Sequence, residues 1–139
     1  ILVVMAQKHR LAMQRRLQAA DFEGETLITY PVPESRIDLI REVLQPANIH
    51  VERRTAELTV AVLQLVASRR GIAALPNWAI KNYVDYDYVI AKPVGDHGLW
   101  SDLFVSVPDA QKQKAYVLDF VKVIREQCAA TLDGIKLLS

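Results

Sequence analysis

Short β-prone runs alternate along this chain with stretches whose apolar residues recur at helical spacing, and few folds accommodate that alternation. Leu2 to Ala6 reads as a strand, and Leu27 to Tyr30 as a second. Pro31 and Pro33 halt the latter because proline donates no ladder hydrogen bond. Ile49 to Arg53, Ile72 to Leu75, Tyr88 to Ala91 and Leu99 to Val107 are further predicted strands. Between them, Ser35 to Gln45 reads as an amphipathic helix with Ile37, Ile40 and Leu44 on one side. Ser35, followed by Asp38, is its expected N-terminal cap and Pro46 its stop. Leu58 to Ala67 is apolar almost all round, which predicts burial over most of its circumference. Arg69 and Arg70 close that helix and Gly71 follows. Asn77 to Val84 predicts another helix, and about Gln111 to Ala129 the last.

Strands separated by helices need crossover connections. The predicted fold class is therefore α/β, a mainly parallel sheet flanked by helices. Such sheets bind small molecules beyond the strand C-termini, beside the helices that follow.

Composition narrows the function classes. The chain has 139 residues, 51% apolar and 24% charged, which suits one globular domain or a piece of a larger protein. Seventeen Lys and Arg against sixteen Asp and Glu leave a net charge of +1, poor equipment for gripping phosphate backbones unaided. No apolar run approaches the roughly 18 to 20 residues that cross a bilayer, so no membrane partner is expected. A single cysteine, Cys128, excludes an internal disulfide and fits a reducing, cytoplasmic setting. The chain opens on Ile1-Leu2-Val3-Val4-Met5, a buried-type strand with nothing ahead of it, and is expected to be a piece of something longer.

Catalytic signals are absent. His9, His50 and His97 lack metal-ligand spacing, and no glycine-rich phosphate loop exists. Ser35, Ser68, Ser101 and Ser106 lack the G-x-S-x-G setting of a hydrolase nucleophile. Cys128 reads as a small hydrophobe in the last helix. Arg53-Arg54 and Arg69-Arg70 read as solvated pairs, and the Tyr83, Tyr86, Tyr88 cluster as a packed turn.

Binding signals lie where strands lead into helices. Pro31, Val32 and Pro33 lead into Ser35 and Arg36, where free backbone N–H groups, a hydroxyl and a forked guanidinium suit a carboxylate. An ordinary cap beside a solvated arginine is the alternative reading. Leu75-Pro76-Asn77-Trp78 is a second junction, with Asn77 as the expected cap and Trp78 as an apolar face; capping plus core packing is the competing account. Glu57-Leu58-Thr59 is a third. Three such junctions at one end of a sheet are expected to line one cleft.

Several strings together resemble the effector-sensing domain of LysR-type transcriptional regulators. The carriers are His9-Arg10-Leu11-Ala12 after the first strand, the Leu27 to Pro31 strand, and the run from Leu65 to Pro76. Arg10 stands where the family commonly has proline. Tyr30-Pro31-Val32, Ser35-Arg36, Asp38, Leu44-Gln45-Pro46-Ala47 and Gly98-Leu99-Trp100-Ser101 resemble the methionine-biosynthesis branch.

The resemblance implies a periplasmic-binding-protein type II sensor of two subdomains. Residues 1–99 would form the second subdomain, and 100–139 a returning strand and C-terminal helix of the first. A winged helix-turn-helix that binds DNA would lie outside this chain, and homo-oligomers are implied. It further implies a binding role without cofactor or catalysis, with homocysteine as co-inducer. Effector residues would be Pro31, Val32, Pro33, Ser35, Arg36, Thr59, Asn77 and Trp78, with Glu34 or Glu57 for the ammonium and Trp78 for the sulfur. A transporter's solute-binding protein, a small α/β enzyme, and a sensor of another sulfur or amino-acid metabolite are the alternatives.

Overall fold

A computed structural model describes residues 1–138; Ser139, the last residue of the expected C-terminal segment, lies outside them. The chain divides into two units, Ile1–Ser101 and Asp102–Ser139, which are described separately.

The first unit is built on five strands: β1 (Leu2–Met5), β2 (Thr26–Thr29), β3 (Glu52–Thr55), β4 (Ala73–Leu75) and β5 (Ile90–Lys92). β2 pairs with β3 in parallel, and a parallel bridge from Leu27 to Ile72 links β2 to the start of β4. β1 pairs antiparallel with both β4 and β5. The order is therefore β3-β2-β4-β1-β5, with β1 alone reversed. The α/β fold holds, but the sheet is mixed rather than mainly parallel: four strands run one way, and the reversed β1 lies between β4 and β5, entering from the end where they finish.

Alternation along the strands separates two apolar layers. Val3, Met5, Leu27 and Ile72 face one side, where they meet Leu11, Leu17, Phe22, Leu39, Leu44, Val94 and Leu99. Val4, Ile28, Ala73 and Leu75 face the other, against α1 (Thr59–Ala67) and α2 (Asn77–Asp85). Both faces of the sheet are covered around β1 and β4, which explains why these two read as unbroken apolar runs, whereas β3 at the edge is polar and largely exposed.

Four local expectations need correction. Ser35 to Gln45 is not one α-helix. A 3₁₀ turn over Glu34–Arg36 ends at Ile37, whose backbone is extended (φ −105°, ψ 107°), and a π-helical segment follows at Leu39–Leu44. Its five-residue hydrogen bonds, such as Gln45 N–H to Ile40 O at 2.8 Å, bring Leu39 and Leu44 onto one side, and both are 1% exposed. Core packing has overridden the α-helical spacing. Second, β3 begins three residues later than predicted, because the turn after Pro46 continues through Asn48 in the left-handed region (φ 54°). Third, α1 buries one face only (Val62, Leu63 and Val66), while Leu58 and Val60 at its start are exposed. Fourth, Leu99 to Val107 contains no strand, since a β-run needs a hydrogen-bonding neighbour and none is present among the described residues.

Helix α1 also ends differently. Arg69 takes the left-handed conformation (φ 59°) expected of Gly71. Gly71 serves another purpose, because a Cβ there would run into the Thr26 carbonyl oxygen and press on Ile28. Gly71→Ala is expected to cost about 1–3 kcal/mol, the usual toll of forcing extra atoms into a packed site. Thermal unfolding of the variant checks this.

The second unit contains a 3₁₀ turn at Asp109–Gln111 and α3 (Ala115–Thr131). Along α3, Tyr116, Phe120 and Val123 are exposed, and Val117 is buried.

Candidate functional site

The C-terminal ends of β2, β3 and β4 lie at one edge of the sheet, and the segments that leave them enclose a cavity of about 110 Å³. Thr29, Tyr30 and Val32 line it from the end of β2, and Ala74 and Leu75 from the end of β4. Arg36, Ile37, Asp38 and Leu39 close one side, Val62 of α1 another, and Ile1 enters where the reversed β1 begins. This is the edge at which α/β sheets bind ligands.

The wall from Thr29 to Asp38 follows from local chemistry. Pro31 has a fixed φ and no N–H, so β2 stops and the chain reverses in a three-residue turn. The Val32 N–H closes that turn onto the Tyr30 carbonyl at 2.8 Å. The Tyr30 hydroxyl shares a 2.5 Å hydrogen bond with Thr59 Oγ1, which ties the end of β2 to the start of α1. Thr29 donates its hydroxyl proton to the Tyr30 carbonyl at 3.0 Å.

Two charged groups reach the cavity, and they differ in commitment. Arg41 holds Asp38 at 2.6 Å and Glu42 at 2.7 Å, and donates to the Ser35 carbonyl at 3.1 Å. The Glu42 hydrogen bond, then Asp38, raises the Arg41 pKa further above its already high ordinary value. Arg36 forms no ion pair and no side-chain hydrogen bond among the described residues. The cavity therefore offers one uncommitted cation, Arg36, and one carboxylate whose charge is largely answered from outside. The Ile1 backbone nitrogen donates to the Leu99 carbonyl at 2.8 Å.

Of the eight residues singled out from the sequence, Val32 and Arg36 line the cavity. Thr59 touches it indirectly, through Tyr30. Pro31, Pro33 and Ser35 belong to the same turn but are exposed and outside the lining. Asn77 and Trp78 follow β4 at the same edge, and neither lines the cavity. The expected caps are also absent: Pro33 and Pro76 occupy the cap positions, without side-chain hydrogen bonds. A three-residue 3₁₀ turn aligns too few peptide dipoles to hold an anion, so attraction to a carboxylate falls to the Arg36 side chain. Glu34, Glu57 and Trp78, expected near an ammonium and a sulfur, lie outside the lining, and Asp38 is the carboxylate within it.

Sequence reasoning missed Arg53. Its Nε donates to Thr29 Oγ1 at 2.7 Å, and its Nη2 to the Tyr30 carbonyl at 2.9 Å and the Val32 carbonyl at 2.5 Å. Arg54, its neighbour, pairs with Glu52 at the exposed edge, as a solvated arginine does. The other surprise lies at the start of β2, away from the cavity. Buried Glu25 receives His9 Nε2 at 3.2 Å and Arg10 Nε at 2.7 Å. His9 Nδ1 accepts the Leu11 N–H at 3.2 Å, so the proton donated to Glu25 sits on Nε2. Arg10 thus has work that proline could not do.

Residues 1–129 match the LysR substrate binding domain family. The chain belongs to that family. Among LysR-family proteins, the transcriptional regulator MetR of Haemophilus influenzae is 41% identical over 98% of this chain and 44% of its own length. MetR of Escherichia coli K12 is 35% identical over 96% of this chain and 42% of its own. The regulatory domain of MetR from N. meningitidis superposes with a TM-score of 0.91 at 43% identity, covering 99% of this chain and 64% of that one. Reduced OxyR, at 18% identity and a TM-score of 0.61, shares the fold. This LysR-family chain spans less than half the length of the curated relatives it matches. Those relatives are transcriptional regulators, not enzymes. Among the described residues no cluster of His, Cys, Asp and Glu is placed to hold a metal ion, and no helix is long and apolar enough to cross a membrane.

Proposed function

We propose that this chain is the effector-sensing part of a cytoplasmic, oligomeric regulator of methionine-biosynthesis genes, and that its effector is homocysteine. The whole regulator would bind DNA through a segment outside this chain, as the helix-turn-helix naming of its relatives suggests. The observation that carries the reading is a cavity at the strand C-termini whose one uncommitted charge is a guanidinium. A carboxylate pairs with Arg36 through its fork of donors. Asp38 faces the same space and accepts from an ammonium. Ile37, Leu39, Val62 and Leu75 supply the apolar wall that a short thiol side chain needs. Contacts made only when the pocket closes over the ligand would bias the regulator between two states.

Homocysteine has about eight heavy atoms, and small ligands gain at most roughly 1.5 kcal/mol from each, ordinary ones far less. Affinity in the micromolar to millimolar range follows. Replacing Arg36 by alanine removes a charge-assisted hydrogen bond and is expected to weaken binding by about 10- to 100-fold. Calorimetry with homocysteine on the full-length protein reads this directly. Unchanged affinity would remove Arg36 from the site, and tighter binding of methionine, cysteine or O-acetylserine would reassign the effector.

A further inference from the structure

We propose that Arg53 is the positioning residue of the effector pocket: it does not line the cavity, yet it holds the turn that does. The inference rests on the pocket assigned above and adds a residue that sequence and family likeness left as a surface cation.

Register explains how it gets there. Arg53 on β3 pairs with Leu27 on β2, so its side chain shares a face with Leu27 and with Thr29, one diagonal step further along. From that position its fork reaches the last residue of β2 and both ends of the turn that follows. That turn spans three residues and is closed by one backbone hydrogen bond. The Tyr30 carbonyl collects three donors, namely the Val32 N–H, the Thr29 hydroxyl and Arg53 Nη2. An amide oxygen has two lone pairs, so three donors crowd it, and the charge on Arg53 is what makes the arrangement favourable.

Arg53 has no carboxylate partner among the described residues. Nearby Glu52 is taken up by Arg54. A half-buried guanidinium answered only by neutral oxygens is costly to keep as mere surface decoration. Here it fixes the distance between Tyr30 and Val32, and with it the starting point of the segment that carries Arg36. It also occupies one of the two lone pairs of Thr29 Oγ1, whose single proton already goes to the Tyr30 carbonyl, so Thr29 presents no spare donor to a ligand. Lysine at this position would supply charge and donors from a single atom, without the rigid fork that spans the three acceptors.

The test has two arms on the full-length protein, with homocysteine as the probe. In the first, amide exchange of residues 28–37 is measured without ligand. Arg53→Ala is expected to speed it by about tenfold or more, the loss of at least one charge-assisted hydrogen bond. Arg53→Lys should fall between alanine and the natural residue. In the second, calorimetry should show homocysteine bound about tenfold more weakly by Arg53→Ala. Phe22→Ala, which weakens the core elsewhere, should leave affinity unchanged below its melting temperature. Unaltered exchange in Arg53→Ala, full rescue by lysine, or an equal loss of affinity in Phe22→Ala would each overturn the positioning role. Should the natural protein not bind homocysteine at all, the effector assignment fails alone, and the exchange arm still decides the role of Arg53.

Discussion

Phe22→Ala is expected to destabilise the first unit by about 3–5 kcal/mol, the largest effect foreseen for any single substitution. Phe22 is fully buried and packs in the layer formed by Val3, Met5, Leu11, Leu17, Leu27 and Leu39. It belongs to a 3₁₀ turn at Ala19–Phe22, held by reciprocal bonds between Gln18 and Asp21. Little local helix exists to keep that turn in place once the ring is gone. The segment before β2 would lose its anchor on the sheet. Chemical denaturation with an unchanged slope would measure the loss cleanly. A cost below about 1 kcal/mol would mean that the layer repacks freely, contrary to the close packing proposed.

The second large effect concerns Glu25, whose side chain is 10% exposed and pairs with His9 (16%) and Arg10 (57%). Glu25→Ala removes the acceptor for two donors and strands the His9 Nε2–H in a partly buried site. About 1–3 kcal/mol is the expected loss, most of it from His9, since the more exposed Arg10 can recover water. Arg10 also donates to the Asp21 carbonyl at 2.7 Å, so it remains partly held. Glu25→Gln should cost less than Glu25→Ala, because the amide oxygen still accepts one donor. Thermal unfolding of both variants gives the order. Equal losses would show that packing, not hydrogen bonding, is what Glu25 supplies.

Much of the architecture was legible because it is local. β1, β2, β4 and α1 follow from apolar runs of the right length bounded by Pro31, Gly71 and Pro76. The segment after Pro33 was not, because whether residues five apart share a side depends on what Leu39 and Leu44 pack against. Leu99 to Val107 has strand-like composition, yet no pattern within a segment reveals whether a neighbour will pair with it. At the site, the turn from Tyr30 to Arg36 was legible from its prolines and its arginine. Trp78 was placed by assuming that a large ring after a strand faces the cleft, whereas its helix instead buries Ile80, two residues on. Arg53 lies 23 residues from Tyr30, and only the pairing of β2 with β3 brings them together. His9, Arg10 and Glu25 meet for the same kind of reason, across 16 and 15 residues.

Among the substitutions above, Arg36→Ala alone alters a residue that lines the pocket. Its occupancy can be followed more directly by methyl NMR on full-length protein labelled at isoleucine and leucine, titrated with homocysteine. Saturable shifts at Ile28, Ile37, Leu39 and Leu75, abolished by Arg36→Ala, are the expected result. Saturable shifts confined to methyls away from this edge of the sheet, such as Leu11, Leu17 and Leu44, would contradict the placement of the effector between the ends of β2 and β4.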